Sequence, residues 1–216
     1  MKKLVVAGCS VSDYTKVDKV WGEIVAELID YEYLHEAAGC GSNQRIWRRL
    51  TSHILDGTIT RDDTVIVQYT GVERTEFWSS NVADDRQLRD SYLDGDIIRF
   101  KLDSHKWHSG IESKLMKMYE QFIGIEFEQE KFINNHIAFQ CLAKEYNIHN
   151  LYFVQVGNYG FNGEDHPTIS KYKDNFLNYN DIFDNKKWHL KGDPFHLSAT
   201  GHTILADRIL AVLELT

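Results

Sequence analysis

Three short runs of apolar and β-branched residues most constrain what this chain can fold into: Lys3–Ala7, Thr64–Tyr69 (TVIVQY) and Leu151–Val156 (LYFVQV). None alternates strictly between apolar and polar, so a strand made from any of them has both faces buried. Strands of that kind belong to parallel sheets covered on both sides. A weaker run at Tyr31–His35 predicts a further strand. Between these runs lie helical stripes. Val20, Ile24, Val25, Leu28 and Ile29 mark one, and Ile46, Trp47, Leu50 and Ile54 mark a second over Asn43–Leu55. A long helix is expected over about Ile111–Tyr146, with an interruption near Gly124. Thr200–Leu215 closes the chain, with Ile204, Leu205, Ile209 and Val212 on one face. Strands alternating with helices predict a three-layer α/β/α sandwich around a central parallel sheet, joined by right-handed crossovers.

The chain has 216 residues, two prolines, no internal repeat and no low-complexity stretch, so one domain over 1–216 is expected. Within it, the segment at about 74–110 is too long for a simple connection, for which about 2–6 residues is usual, and reads as an insertion. No apolar run approaches the roughly 20 residues of a membrane span. Met1-Lys2-Lys3 leads into only Leu4–Ala7 before Gly8, which predicts a buried strand and no signal peptide. A net charge of −8 without a basic stripe argues against nucleic acid as a partner. The three cysteines, Cys9, Cys40 and Cys141, show no C-x-x-C spacing. That excludes a disulfide framework and a cysteine zinc site as first readings and fits a reducing, cytoplasmic setting.

Ligands of such sheets sit outside the carboxyl ends of the strands, and there this sequence is rich in chemistry. Gly8-Cys9-Ser10-Val11-Ser12-Asp13 follows the first strand, and Gly39-Cys40-Gly41-Ser42-Asn43 follows the second. Thr70-Gly71-Val72-Glu73-Arg74 follows the third, and Asp193-Pro194-Phe195-His196 precedes the last helix. Acyl transfer needs a hydroxyl, a neutral imidazole, a carboxylate to orient it, and donors for the oxyanion. Ser10, His196 and Asp193 supply the first three. Asp193 and His196, three apart on an expected loop, can sit side by side and leave one ring nitrogen for the Ser10 proton. Gly41 allows a backbone N–H to approach a substrate, and Asn43 adds an amide donor.

Each feature also has a plainer reading. Ser10 could cap a helix, Asn43 could cap the helix that begins beside it, and Asp193, Ser198 or Thr200 could cap the last one. Gly39 and Gly41 could be turn glycines; without a following Gly-Lys-Ser/Thr they form no phosphate loop. His105 and His108 have the spacing of a metal pair but stand in a charged stretch that reads as a solvated loop, and His202 reads as a buried structural imidazole.

The order of the four clusters resembles that of the SGNH (GDSL-like) hydrolases over essentially the whole chain. Gly8-Cys9-Ser10 followed by Val20-Trp21-Gly22-Glu23-Ile24 resembles the family's first block, and Gly41-Ser42-Asn43 its second. Asp193-x-x-His196-Leu-Ser-x-x-Gly-His202 resembles the last. The resemblance implies the flavodoxin-like sandwich of that family. It also implies Ser10 as nucleophile, His196 as base, Asp193 as its orienting acid, and an oxyanion hole that uses the N–H groups of Ser10 and Gly41. Two positions depart from the pattern. Cys9 stands where the family usually has Asp. Val72 stands where its third block, Gly-x-Asn-Asp, has the oxyanion-hole asparagine, so a third donor must come from elsewhere, with Asn43 the nearest.

Together these residues predict a serine esterase that removes an acyl or acetyl group from a small-molecule or carbohydrate ester, with no metal and no organic cofactor. Arg74 and Trp78, which open the insertion, are the candidate substrate-binding residues. A rival is a glycan-binding protein on the same scaffold with negligible turnover. A nucleotide-binding protein is a poorer fit, because the chain lacks both a phosphate-loop lysine and a Gly-x-Gly-x-x-Gly turn.

Overall fold

The three constraining runs form the middle of the sheet. In the computed structural model, which describes residues 1–14, 16–39, 41–71, 74–78, 93–94, 97–101, 125–155 and 176–213, β1 is Lys3–Ala7, β2 Glu32–His35 and β3 Thr64–Tyr69. All six residues of β3 are buried. Helices α1 (Trp21–Leu28) and α2 (Asn43–Leu55) fall where the stripes place them.

A small second sheet follows in the chain's middle. β4 (Arg74–Trp78), β5 (Leu93–Asp94) and β6 (Ile97–Lys101) form an antiparallel sheet in the order β4-β6-β5. The expected insertion therefore carries strands of its own; its other residues, with His105 and His108, lie outside the described ones. Helix α3 spans Ile125–Glu145, and the earlier part of the expected long helix also lies outside. β7 is Leu151–Gln155, and a strand the sequence did not suggest, β8 (Phe176–Asn178), pairs parallel to it. The chain then runs through α4 (Asn180–Asp184), a 3-10 turn at Lys186–Trp188, an antiparallel hairpin of β9 (His189–Leu190) and β10 (Asp193–Leu197), and α5 (Ala199–Leu213).

The main sheet runs β2-β1-β3-β7-β8 with every described pairing parallel. Alternate side chains divide between two cores, as the pleat requires. Val5, Ala7, Val65, Val67 and Phe153 pack under α2 and α3, against Ile46, Leu50, Ile54, Phe132 and Phe139. Leu4, Val6, Ile66 and Val154 pack under α1 and α5, against Trp21, Val25, Leu205 and Ile209. This is the expected α/β/α sandwich. Because the chain moves outward from β1 to β2 and then returns to the other side for β3, the order reverses between β1 and β3. A crevice opens at such a switch point, beyond the carboxyl ends of the strands. Among the described residues no helix is long and apolar enough to cross a membrane.

Candidate active site

The loop leaving β1 is fixed by its neighbours in sequence. Cys9 and Val11 are buried in the core under α1 and α5, while Ser10 between them is half-buried. Among the described residues neither the Ser10 hydroxyl nor its N–H has a hydrogen-bond partner. Ser12, two residues on, differs in every respect. It has no exposure, donates to Gln68 Oε1 at 3.1 Å and accepts from Trp21 Nε1–H at 2.9 Å. Of the two serines, Ser10 is the one with an uncommitted, accessible hydroxyl.

Asp193 and His196 lie on β10, not on a loop as the sequence suggests. Residues three apart on a regular strand face opposite sides. The β9–β10 register shifts between Asp193 and Leu197, and this irregularity lets the two side chains meet. His196 Nδ1–H donates to Asp193 Oδ2 at 2.8 Å, the arrangement that in a neutral ring makes Nε2 the acceptor nitrogen. No hydrogen bond joins Ser10 to His196, and Nε2 has no partner among the described residues. The two segments nonetheless share one core: Leu197, next to His196, is buried in the same cluster as Cys9 and Val11. Asp193 is not needed as a cap, because Ser198 Oγ accepts the Gly201 N–H at 3.3 Å at the start of α5. His202 fits its expected structural place. It is buried, its Nδ1 accepts the Trp21 backbone N–H at 3.1 Å, and burial, with the nearby His196 charge, pushes its pKa down to about 4.

The loop after β2 lies against the loop after β1. A Cβ at Gly41 would stand 3.0 Å from the Ala38 carbonyl and 3.1 Å from that of Gly8, so a larger residue would push the two loops apart. The Gly41 N–H donates to Ala38 O at 3.0 Å. Ser42, not Asn43, caps α2, accepting the Arg45 N–H at 3.1 Å. Asn43 instead clamps Thr70 in both directions: its Nδ2–H donates to Thr70 O at 2.9 Å, and its Oδ1 accepts Thr70 N–H at 3.0 Å. That clamp joins the loops after β2 and β3 and leaves one amide hydrogen of Asn43. Asp13 adds another tie, with Oδ2 accepting the Gly39 N–H at 2.8 Å and Oδ1 facing His35 Nε2 at 3.2 Å.

Arg74 begins β4, which is held to α2 by Glu76 against Arg48 at 3.1 Å and by the Glu76 N–H to Gln44 Oε1 at 2.8 Å. Arg74 lines a small hollow shared with Asn43, Gln44, Trp47, Glu128, Lys131, Phe132 and Asn135. Burial raises the Glu128 carboxyl above its ordinary value, against the pull of Lys131. Trp78 ends β4; its side chain, like Val72, lies outside the described residues. Gln68, Ser12 and Trp21 hold the Ser10 loop in place, and sequence reading missed them. A glutamine inside an otherwise apolar strand was the one available signal.

No family model matches this chain, and no curated protein matches it. Solved structures do. A member of the lipolytic protein G-D-S-L family from Veillonella parvula DSM 2008 is 8% identical, with 99% of each chain covered and a TM-score of 0.53. A second structure, from Desulfitobacterium hafniense DCB-2 and assigned to the lipolytic proteins of the G-D-S-L family, is 12% identical over 98% of this chain and 99% of that one, with a TM-score of 0.49. The likeness to the first is one of fold: the described residues form an α/β sandwich like that of this G-D-S-L family structure.

Proposed function

We propose that the protein is a serine ester hydrolase acting on an acyl or acetyl ester of a small molecule or carbohydrate. One observation carries the reading: among the described residues His196 is held by Asp193 through Nδ1 with Nε2 unpartnered, and Leu197 beside it packs in the same core as Cys9 and Val11, which flank the accessible hydroxyl of Ser10. In this mechanism Ser10 Oγ attacks the ester carbonyl carbon while His196 Nε2 takes the hydroxyl proton. The tetrahedral intermediate collapses, the C–O bond to the alcohol breaks, and His196 gives its proton to the departing alkoxide. Water then attacks the Ser10 acyl ester as His196 accepts a proton from it. Release of the carboxylic acid returns that proton to Ser10. Asp193 keeps the ring in the productive tautomer and stabilises the imidazolium.

The oxyanion would be held first by the Ser10 N–H. Gly41 N–H contributes only if shared with Ala38 O, and the remaining Asn43 amide hydrogen is the third candidate. Arg74 beside Asn43 would contact the alcohol portion of the substrate, as would Trp78 at the other end of β4. A glycan-binding role with negligible turnover is the second reading. It is favoured by the commitment of Gly41 N–H to Ala38 together with Val72 in place of an asparagine donor, since loss of one donor costs on the order of 10²–10³ in kcat. Turnover of p-nitrophenyl acetate separates the two. Hydrolysis by the native chain that disappears in Ser10→Ala, with thermal stability unchanged, supports the esterase; a native rate equal to that of Ser10→Ala contradicts it.

A further inference from the structure

The backbone ladder between β1 and β3 ends at Ala7 opposite Val67. One residue later the chain of β1 turns away toward Ser10, and there a side chain takes over from the ladder. Gln68 is completely buried near the end of β3. Its Nε2–H donates to the carbonyl of Tyr69, which fixes the amide so that Oε1 faces the departing β1 chain. That oxygen accepts the Cys9 N–H at 3.2 Å and the Ser12 hydroxyl at 3.1 Å, with the Cys9 thiol at 3.5 Å. Gly8 makes the approach possible, because a Cβ there would stand 2.8 Å from Gln68 Oε1 and 3.0 Å from Ser12 Oγ.

The same contacts continue to the far end of the chain. Ser12 Oγ accepts from the Trp21 indole at 2.9 Å, and the Trp21 backbone N–H donates to His202 Nδ1 at 3.1 Å. A buried run of hydrogen bonds therefore joins His202, Trp21, Ser12, Gln68 and Cys9. It begins in the first turns of the helix that follows His196 and ends at the residue before Ser10. It also crosses the point between β1 and β3 where the strand order reverses. A buried amide with its donor and acceptor both engaged has one available orientation, so each partner in the run is held in one direction.

We propose that Gln68 is a positioning residue for Ser10: by gripping Cys9 N–H and Ser12 on either side of the nucleophile it sets the direction of the Ser10 hydroxyl and N–H, and through Ser12 and Trp21 it ties that loop to the segment bearing His196. The proposal rests on the hydrolase reading of the same site. It assigns Gln68 no contact with substrate. Its loss should lower the rate of the chemical step and leave binding of the ester alone, since misplacing a reacting group by about 1 Å costs up to about 10²-fold.

The test is the kinetics of Gln68→Met with p-nitrophenyl acetate, beside Ile54→Ala as a control of comparable destabilisation in the other core. Gln68→Met should lower kcat by about 10-fold or more with KM within about two-fold, while Ile54→Ala keeps the native kcat. Ser12→Ala removes two bonds of the same run, to Gln68 and from Trp21, and serves where Gln68→Met does not fold; it should lower kcat several-fold, again at constant KM. Native kcat in folded Gln68→Met, or in Ser12→Ala where that variant stands in, overturns the positioning role and leaves the hydrolase reading intact. An equal loss of kcat in Ile54→Ala also overturns it, by showing that destabilisation alone is responsible. A native protein without Ser10-dependent turnover overturns the hydrolase reading and the positioning role together.

Discussion

Two of the histidine–carboxylate pairs among the described residues bear on the site: His35 with Asp13, between the loops after β1 and β2, and His196 with Asp193 on β10. Another, His53 with Glu36, joins α2 to the chain after β2. The exposure of the two at the site is nearly the same, with side chains 24% and 23% accessible in the first and 20% and 27% in the second. Solvent access therefore does not distinguish them; the ring nitrogens do. His35 is engaged at both, by Asp13 Oδ1 at 3.2 Å and by the Tyr33 hydroxyl at 3.1 Å, while Asp13 also accepts the backbone N–H groups of Gly39 and Tyr14. That pair is a closed strut between the loops after β1 and β2. Among the described residues His196 is bound at one nitrogen only. A His–Asp pair becomes a candidate for catalysis through the nitrogen it leaves unused, not through the pairing itself.

The comparison can be broken most sharply by deleting the two rings. His196→Ala should lower kcat/KM for p-nitrophenyl acetate by about 10³-fold or more, the usual cost of removing a triad base. His35→Ala should stay within about 10-fold of native activity while unfolding at a lower temperature. Inactivation by His35→Ala in a folded protein, beside an active His196→Ala, would exchange the roles. The carboxylates give the next largest contrast. Asp193→Asn, which favours the wrong tautomer of His196, should cost on the order of 10²–10⁴ in kcat with little change in melting temperature. Asp13→Asn should do the reverse, because it weakens three contacts of the strut; a kcat loss as large as that of Asp193→Asn would show that the two loops are not independent.

The contrast between the pairs also explains what could be read in advance. Asp193 and His196 are three residues apart and stand in a recognisable block, so the pair was visible. Asp13 and His35 are 22 residues apart and meet only because β2 lies beside β1, so nothing local announced them. The same holds for Gln68, whose contacts with Cys9 and Ser12 span 59 and 56 residues. β1, β3, β7 and α2 were legible because burial on both faces, or a stripe on one, is written into their composition. β8 is three residues long and leaves no period to detect. β10, with Asp193 and Pro194, has the composition of a loop and is a strand only because β9 pairs with it. Asn43 was legible as a polar residue at the right edge, but its partner, the Thr70 backbone, could not be inferred from the second loop alone.

Asn43 supplies a smaller effect, on stability. Asn43→Asp removes the donor to Thr70 O and sets a carboxylate against a carbonyl, so denaturation should show a loss of about 1–3 kcal/mol. An unchanged midpoint would mean that the clamp is dispensable. A buried histidine in α5 gives a dependence on pH. His202 is pushed down to about 4 by burial and the nearby His196 charge, and burial does the same to His136 on the other side of the sheet. Below about pH 6.5 the unfolded chain binds protons at both positions and the folded chain does not. Their contribution, on the order of 3 kcal/mol each, is complete above that pH and is lost as the pH falls toward 4. Melting temperature should drop across this window, and less steeply in His202→Gln. Identical slopes for the two proteins would remove His202 from the acid response.

The most direct measurement for the hydrolase reading is the reaction of the native protein with a fluorophosphonate, followed by peptide mass spectrometry to locate the adduct. The uncommitted hydroxyl and the open nitrogen of His196 predict a single adduct on Ser10, formed far more slowly in His196→Ala and at close to the native rate in His35→Ala. An adduct on Ser12, no adduct at all, or labelling that persists unchanged in His196→Ala would contradict it.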